Sequence, residues 1–194
     1  MKLSATALIP AGPETGRWFR VTGTRHLPAA ISTAHTVVTP SRFYDPHSAS
    51  PQFRTLYLSD DPIVAQFEAQ VLFGSLTTPG GTVPAPRVAW TVLRVQVSLT
   101  KVLDLSDLRA QAVLDATVQE LTGDWAGYRQ RSRATNVAVP IGTAPTQALG
   151  EAIHRDPRDL EGFRVVSAKV PYNREPGRVS RPPRKQQLRT IRMG

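Results

Sequence analysis

Residues 53–74 constrain the fold more than any other part of the chain. Phe53-Arg54-Thr55-Leu56-Tyr57-Leu58 alternates with the two-residue period of a strand. It runs almost directly into Asp60-Asp61-Pro62, an acidic cap followed by a proline whose missing N–H had no helical partner anyway. Ile63, Val64, Phe67, Val71 and Leu72 then recur at helical spacing, and Gly74 offers a stop. A strand that turns at once into an amphipathic helix needs a neighbouring layer to bury both.

The remaining segments are mixed without a regular strand–helix–strand rhythm. Trp18-Phe19-Arg20-Val21 reads as a short strand, and residues 31–50, rich in Thr, Ser, Pro and His, read as loop. Residues 77–86 form a Pro/Gly loop. Val88, Trp90 and Val92 share one parity and Val95 and Val97 the other, so residues 88–97 read as a strand with a bulge near Leu93. Residues 102–105 make a further short strand. Ser106 reads as the cap of a second helix carrying Leu108, Ala112, Val113, Leu114 and Val118. Residues 125–139 show no usable period. Pro145 opens a third helix with Ala148, Leu149, Ala152 and Ile153 on one face, and residues 162–170 read as a late strand. The pattern predicts an α+β domain with a mixed sheet and flanking helices, not a doubly wound parallel sheet.

A chain of 194 residues with 40% apolar content can build one sizeable core. No apolar run reaches the roughly 20 residues of a membrane span, and the apolar stretch within residues 1–10 is short for a signal-peptide core. The chain has no cysteine, which removes disulfides, thiolate metal sites and cysteine nucleophiles from consideration. A cytoplasmic protein fits best. His26, His35, His47 and His154 lack metal-ligand spacing, so no metal is expected. Gly80-Gly81 is not followed by a helix, which argues against a Rossmann or Walker phosphate loop.

The net charge is +9, and residues 178–194 supply much of it through Arg178, Arg181, Arg184, Lys185, Arg189 and Arg192 with no acid among them. Such a tail is a solvated terminus or a non-specific contact for phosphates, including nucleic acid. With few apolar residues and two adjacent prolines, residues 181–194 are expected to be mobile in the isolated protein, or ordered only against a partner.

Five residues stand out as site candidates. Glu68 shares a helical face with Val64, Val71 and Leu72, so its carboxylate is either paired with an arginine at the stripe's edge or set in a cleft wall. Tyr57 has the parity of Phe53 and opposes Leu56 and Leu58. It is either packed on the sheet or exposed to a site at the strand's end. Arg20 and Arg42, like Arg54, sit beside aromatics, and an arginine fork suits phosphate. Ser167 interrupts the apolar Val165-Val166-Ser167-Ala168. It lacks a G-x-S-x-G elbow, so it is no hydrolase nucleophile.

In their order and spacing, Trp18-Phe19-Arg20-Val21, Ser41-Arg42-Phe43-Tyr44-Asp45-Pro46 and Leu56-Tyr57-Leu58-Ser59 with Glu68 beyond resemble the RES domain. Residues 145–153 and 162–168 resemble its C-terminal half. The resemblance implies a catalytic domain over residues 17–173, between an extension at 1–16 and the basic tail at 174–194. It also implies a fold similar to ADP-ribosyltransferases and the toxin of a RES–Xre toxin–antitoxin pair, partnered by an Xre-type antitoxin and causing growth arrest in bacteria. NAD would be the substrate, cleaved at the nicotinamide–ribose bond so that it is depleted (glycohydrolase or phosphorylase) or its ADP-ribose is transferred (ADP-ribosyltransferase), with no metal. Arg20 and Arg42 would hold the pyrophosphate, Tyr57 would stack near the nicotinamide, Glu68 would be the catalytic carboxylate, and Ser167 would lie near the cleft; Arg20, Tyr57 and Ser167 would count with Glu68 as the catalytic set. Tyr57 and Glu68 would face Arg20 and Arg42 across it. Two positions depart from the family pattern: Val166 stands where a proline is usual, and the basic tail stands where an apolar closing strand is expected. The alternative is a nucleic-acid or partner-binding module with a degenerate RES-like body.

Overall fold

The computed structural model describes residues 1–47, 52–76, 78–86, 89–131, 138–140, 142–170 and 187–193. In chain order the elements are β1 (Ala11–Gly23), β2 (Arg54–Ser59), α1 (Pro62–Glu68), β3 (Leu72–Gly74), β4 (Thr82–Pro84), β5 (Trp90–Asp104), α2 (Leu108–Leu114), α3 (Val118–Thr122), β6 (Arg129–Arg131), β7 (Ala138–Pro140), α4 (Pro145–His154), β8 (Gly162–Val166) and β9 (Gln187–Met193). The mixture of strands and helices makes the fold α+β, as expected.

Strands β1, β2, β9, β8 and β5 close a barrel in that order. All neighbours are antiparallel except β5 and β8, which run parallel, so the sheet is mixed. Both faces of β2 are covered. Leu56 and Leu58 pack with Trp18 and Val97. Tyr57, of opposite parity, packs against a larger core in which Leu103, Leu105, Leu114, Leu149, Phe163 and Val165 join α2 and α4 to β5 and β8. Burying side chains of this size contributes about 1.5–3 kcal/mol each.

Helix α1 starts where the sequence predicts. Asp61 Oδ1 accepts from the N–H groups of Ile63 and Val64, at 2.6 and 3.1 Å. It ends earlier than Gly74 suggests. Gln70 takes the left-handed conformation (φ 56°), and the N–H groups of Gln70 and Val71 donate to the carbonyls of Phe67 and Gln66. This closes the helix in a Schellman motif without a glycine. Glu68 is therefore the last helical residue, and Leu72–Gly74 is a strand. The second predicted helix divides. Asp107 caps α2 instead of Ser106, whose hydroxyl bonds Asp104, and a reciprocal Thr117–Glu120 capping box starts α3.

The bulge predicted near Leu93 lies elsewhere. Pairing is regular through Arg20↔Leu93, and β5 runs unbroken to Asp104. The register shifts where Gly12↔Val102 gives way to Glu14↔Leu99, opposite Pro13, which cannot donate to the ladder. Glu161 Oε2 accepts the N–H groups of Thr100 and Lys101 there, at 2.5 and 2.9 Å.

Both chain ends belong to the fold. Arg158 donates to the carbonyls of Thr6 and Ile9, at 2.8 and 2.6 Å, and β1 begins at Ala11. The expectation of a mobile terminus is corrected over Gln187–Met193. As β9 it pairs Leu56↔Ile191 on one side and Val165↔Leu188 on the other. The edges of β2 and β8 each gain a partner, which is the physical reason for the order. The closing strand is thus displaced toward the chain end. Residues 171–186, which carry the rest of the basic run, lie outside the described residues.

Candidate active site

A cleft of about 550 Å³ opens where β1, the turn after Pro40, β2 and the end of α1 meet. Arg20, Arg42, Tyr57 and Glu68 all line it. Each is delivered by a different local device. Arg20 comes from β1, opposite Leu93 of β5. Tyr57 comes from the outer parity of β2, and Glu68 from the last turn of α1. Arg42 comes from a tight turn in which Ser41 and Tyr44 bridge to each other.

Glu68 is the most heavily bonded of these. Its side chain is only 13% exposed. Oε1 accepts from the Ser167 hydroxyl at 2.5 Å and from the N–H groups of Ala168 and Lys169 at 3.1 and 3.4 Å. Oε2 faces Arg42 Nη2 at 3.5 Å. The carboxylate is thus fixed at the cleft wall by donors on three sides, which meets the cost of burying it.

Ser167 is fully buried and is not a lining residue of the cleft. Its Oγ accepts the N–H groups of Lys169 and Val170, at 3.2 and 3.0 Å, while its proton goes to Glu68. It stands behind the carboxylate and bonds it directly. The expected place of Arg42 is corrected. It lies beside Glu68, not across from it, because residues 41–44 form a pinned turn instead of an open loop.

The arginines are short of partners. Arg20 Nε and Arg42 Nη1 are buried N–H groups without a hydrogen bond among the described residues. Burial pulls Arg20 below the usual arginine range. An anion in the cleft would offset this desolvation. Tyr57 is fixed by its hydroxyl, which lies 2.6 Å from Ser41 Oγ.

Sequence reasoning did not find Trp125, Asp124 and Lys169, which also line the cleft. Trp125 sits in a 3₁₀ turn, Trp125–Tyr128, within the stretch without a period, so no spacing signal marked it. Among the described residues no cluster of three or more His, Asp or Glu is placed to hold a metal. No helix of the described residues is long and apolar enough to cross a membrane.

The fold is an α+β closed mixed barrel with helices packed on it, and its cleft is lined by a carboxylate locked beside Arg42 and by Arg20. Residues 17–177 match the model of the RES domain, and the chain belongs to that family. The fold is similar to a chain of the M. tuberculosis MbcT–MbcA toxin–antitoxin complex, with a TM-score of 0.61 and 16% identity over 98% of this chain and 80% of that one. No curated protein matches the chain. The resemblance drawn from the motifs, and the α+β fold it implies, are borne out.

Proposed function

We propose that this protein is the toxin of a toxin–antitoxin pair, acts in the cytoplasm, and consumes NAD⁺ by breaking its nicotinamide–ribose bond. The observation that carries the chemistry is the Glu68 carboxylate, locked by Ser167 and Arg42 at the wall of a cleft with buried, unpartnered guanidinium N–H groups. Family membership and the likeness to a chain from a toxin–antitoxin complex support the toxin role and a protein antitoxin, which we take to be Xre-type.

The cleft suits this substrate in size, lying within the roughly 300–1,000 Å³ usual for cofactor-sized ligands. Arg20 and Arg42 would bind the two phosphates, and the Tyr57 ring, its hydroxyl held by Ser41, would orient the nicotinamide. When the ribose C1′–nicotinamide nitrogen bond breaks, its electron pair leaves with the ring as neutral nicotinamide. Positive charge then develops at C1′ and the ribose ring oxygen. Glu68 faces that charge already fixed in place, so no reorganisation is needed at the moment of reaction. Water, inorganic phosphate or a protein side chain is the acceptor that bonds to C1′; where it is water, the released proton passes to solvent.

The test is to incubate the purified protein with NAD⁺ and follow free nicotinamide, with and without phosphate and with a cell extract as a source of protein acceptors. Wild type should release nicotinamide and Glu68→Gln should not. A folded wild-type protein that releases none under all three conditions would overturn the proposal.

A further inference from the structure

The turn carrying Ser41 and Arg42 belongs to no strand or helix, yet it holds a buried guanidinium within reach of Glu68. Within it, the Ser41 N–H donates to the Tyr44 carbonyl at 2.9 Å and the Tyr44 N–H to the Ser41 carbonyl at 3.3 Å. Both carbonyls also accept from one side chain on α4. Gln147 Nε2 donates to Ser41 O at 3.0 Å and to Tyr44 O at 3.2 Å. Its Oε1 accepts the Ala144 N–H at 3.2 Å, which ties the same amide to the start of its own helix.

Gln147 is 5% exposed, and its amide makes a bond in each of these three directions. A buried amide so satisfied locks its neighbours, whereas losing its donors leaves each carbonyl with only the backbone N–H across the turn and unties the turn from α4. One turn later, Gly150 lets the turn lie against the helix backbone: a Cβ there would collide with the Phe43 carbonyl. Phe43 itself is fully buried, edge-on to Phe163 with centroids 4.8 Å apart.

We infer that Gln147 is a positioning residue for the anion-binding wall of the cleft. Through the turn it places the Arg42 guanidinium, and through Ser41 it places the hydroxyl that holds Tyr57. Two cleft groups therefore depend on one amide of α4 that never touches the ligand. The inference deepens the proposed function and rests on it for the identity of the ligand; the anchoring of the turn does not.

The experiment compares full-length wild type and Gln147→Met, alone and with Arg42→Ala, by amide hydrogen exchange and by calorimetric titration with NAD⁺. Methionine keeps the length and apolar volume and removes the donors. Exchange at the Ser41 and Tyr44 amides should accelerate at least about tenfold while the Ile153 amide in α4 stays slow. Misplacement by about 1 Å can cost on the order of 10²-fold, so the Kd for NAD⁺ should rise at least about tenfold. In the Arg42→Ala background the same substitution should raise the Kd by clearly less, since only the Tyr57 branch is left to lose. Unchanged exchange at residues 41–44, or an equal rise in Kd in both backgrounds, would overturn the inference. If Gln147→Met does not fold, Gln147→Glu keeps the acceptor for Ala144, removes both donors and is read the same way. If wild type binds no NAD⁺, the proposed function fails and exchange in the turn still decides the positioning role.

Discussion

Ser167 donates its hydroxyl proton to Glu68 Oε1 at 2.5 Å, joining two residues 99 positions apart. One stands at the end of α1 and the other immediately after β8. The serine hydroxyl cannot turn away, because its oxygen already accepts the N–H groups of Lys169 and Val170. The carboxylate is aimed by the backbone of the β8 exit as much as by its own helix.

Glu68→Gln should leave the fold intact and abolish NAD⁺ consumption. Glutamine keeps the shape and an acceptor for Ser167 but removes the charge that the proposed mechanism sets against the developing oxocarbenium ion. Losing a pre-organised electrostatic group costs on the order of 10²–10³ in rate. NAD⁺ affinity should change much less, since in the proposed function the arginines carry the phosphate contacts. Expression of wild type should arrest bacterial growth, and Glu68→Gln should not. A folded variant turning over at near wild-type rate would show that the carboxylate is only structural.

Ser167→Ala should lower turnover more than it raises the Michaelis constant, because the carboxylate loses its shortest restraint while the phosphate contacts stay. It also leaves the buried Val170 N–H without its acceptor, at a cost of about 1–3 kcal/mol. Steady-state kinetics beside a denaturant titration separates the two effects. Full activity together with lost stability would assign Ser167 to the fold alone.

Arg20→Met should behave in the opposite sense. Removing a half-buried cation whose Nε has no partner should leave stability unchanged or raise it by up to about 1 kcal/mol. Binding of NAD⁺ should nevertheless weaken, with the Michaelis constant rising more than turnover falls. Melting curves and NAD⁺ titrations on the same samples check this. A variant that melts much lower and binds as well as wild type would contradict it.

Ending the chain at residue 186 should unfold the barrel or drive it to aggregate. Without β9, both β2 and β8 present a full row of unpaired backbone groups. Circular dichroism and light scattering report the outcome, and a monomer with the wild-type melting temperature would show that β9 is dispensable.

Stability should fall on acidification. Hydrogen bonds from the Arg158 side chain hold Asp156 below the usual carboxylate range, and the Thr100 and Lys101 N–H groups do the same for Glu161. A depressed folded-state pKa contributes stability that is fully present above the unfolded value, about 4, and is lost as pH falls through the folded one. Asp156→Asn should lower stability at neutral pH by about 1.5–3 kcal/mol, the usual worth of hydrogen bonds to a charged group. It should also flatten the acid limb of a stability–pH profile, and an unaltered limb would exclude this pair as the cause.

By itself the sequence determined the elements whose signals are local. Asp61-Pro62 set the start of α1, the alternation of residues 53–58 set β2 and the outward parity of Tyr57, and Pro145 set the start of α4. The residue types of the site, and the family, were legible in the same way, because motif order survives without any knowledge of packing. The end of α1 was not legible, since Gln70 adopts a left-handed conformation that sequence statistics reserve for glycine. Nor was the pairing of Arg42 with Glu68, which depends on an amide 105 residues beyond Arg42. Only the tertiary structure decided that Ser167 stands behind the carboxylate and that a segment read as a free basic tail closes the barrel. Periodicity and capping report energies felt within a few residues, whereas a hydrogen bond across 99 residues, or a strand seated between two open edges, exists only once the whole chain has condensed.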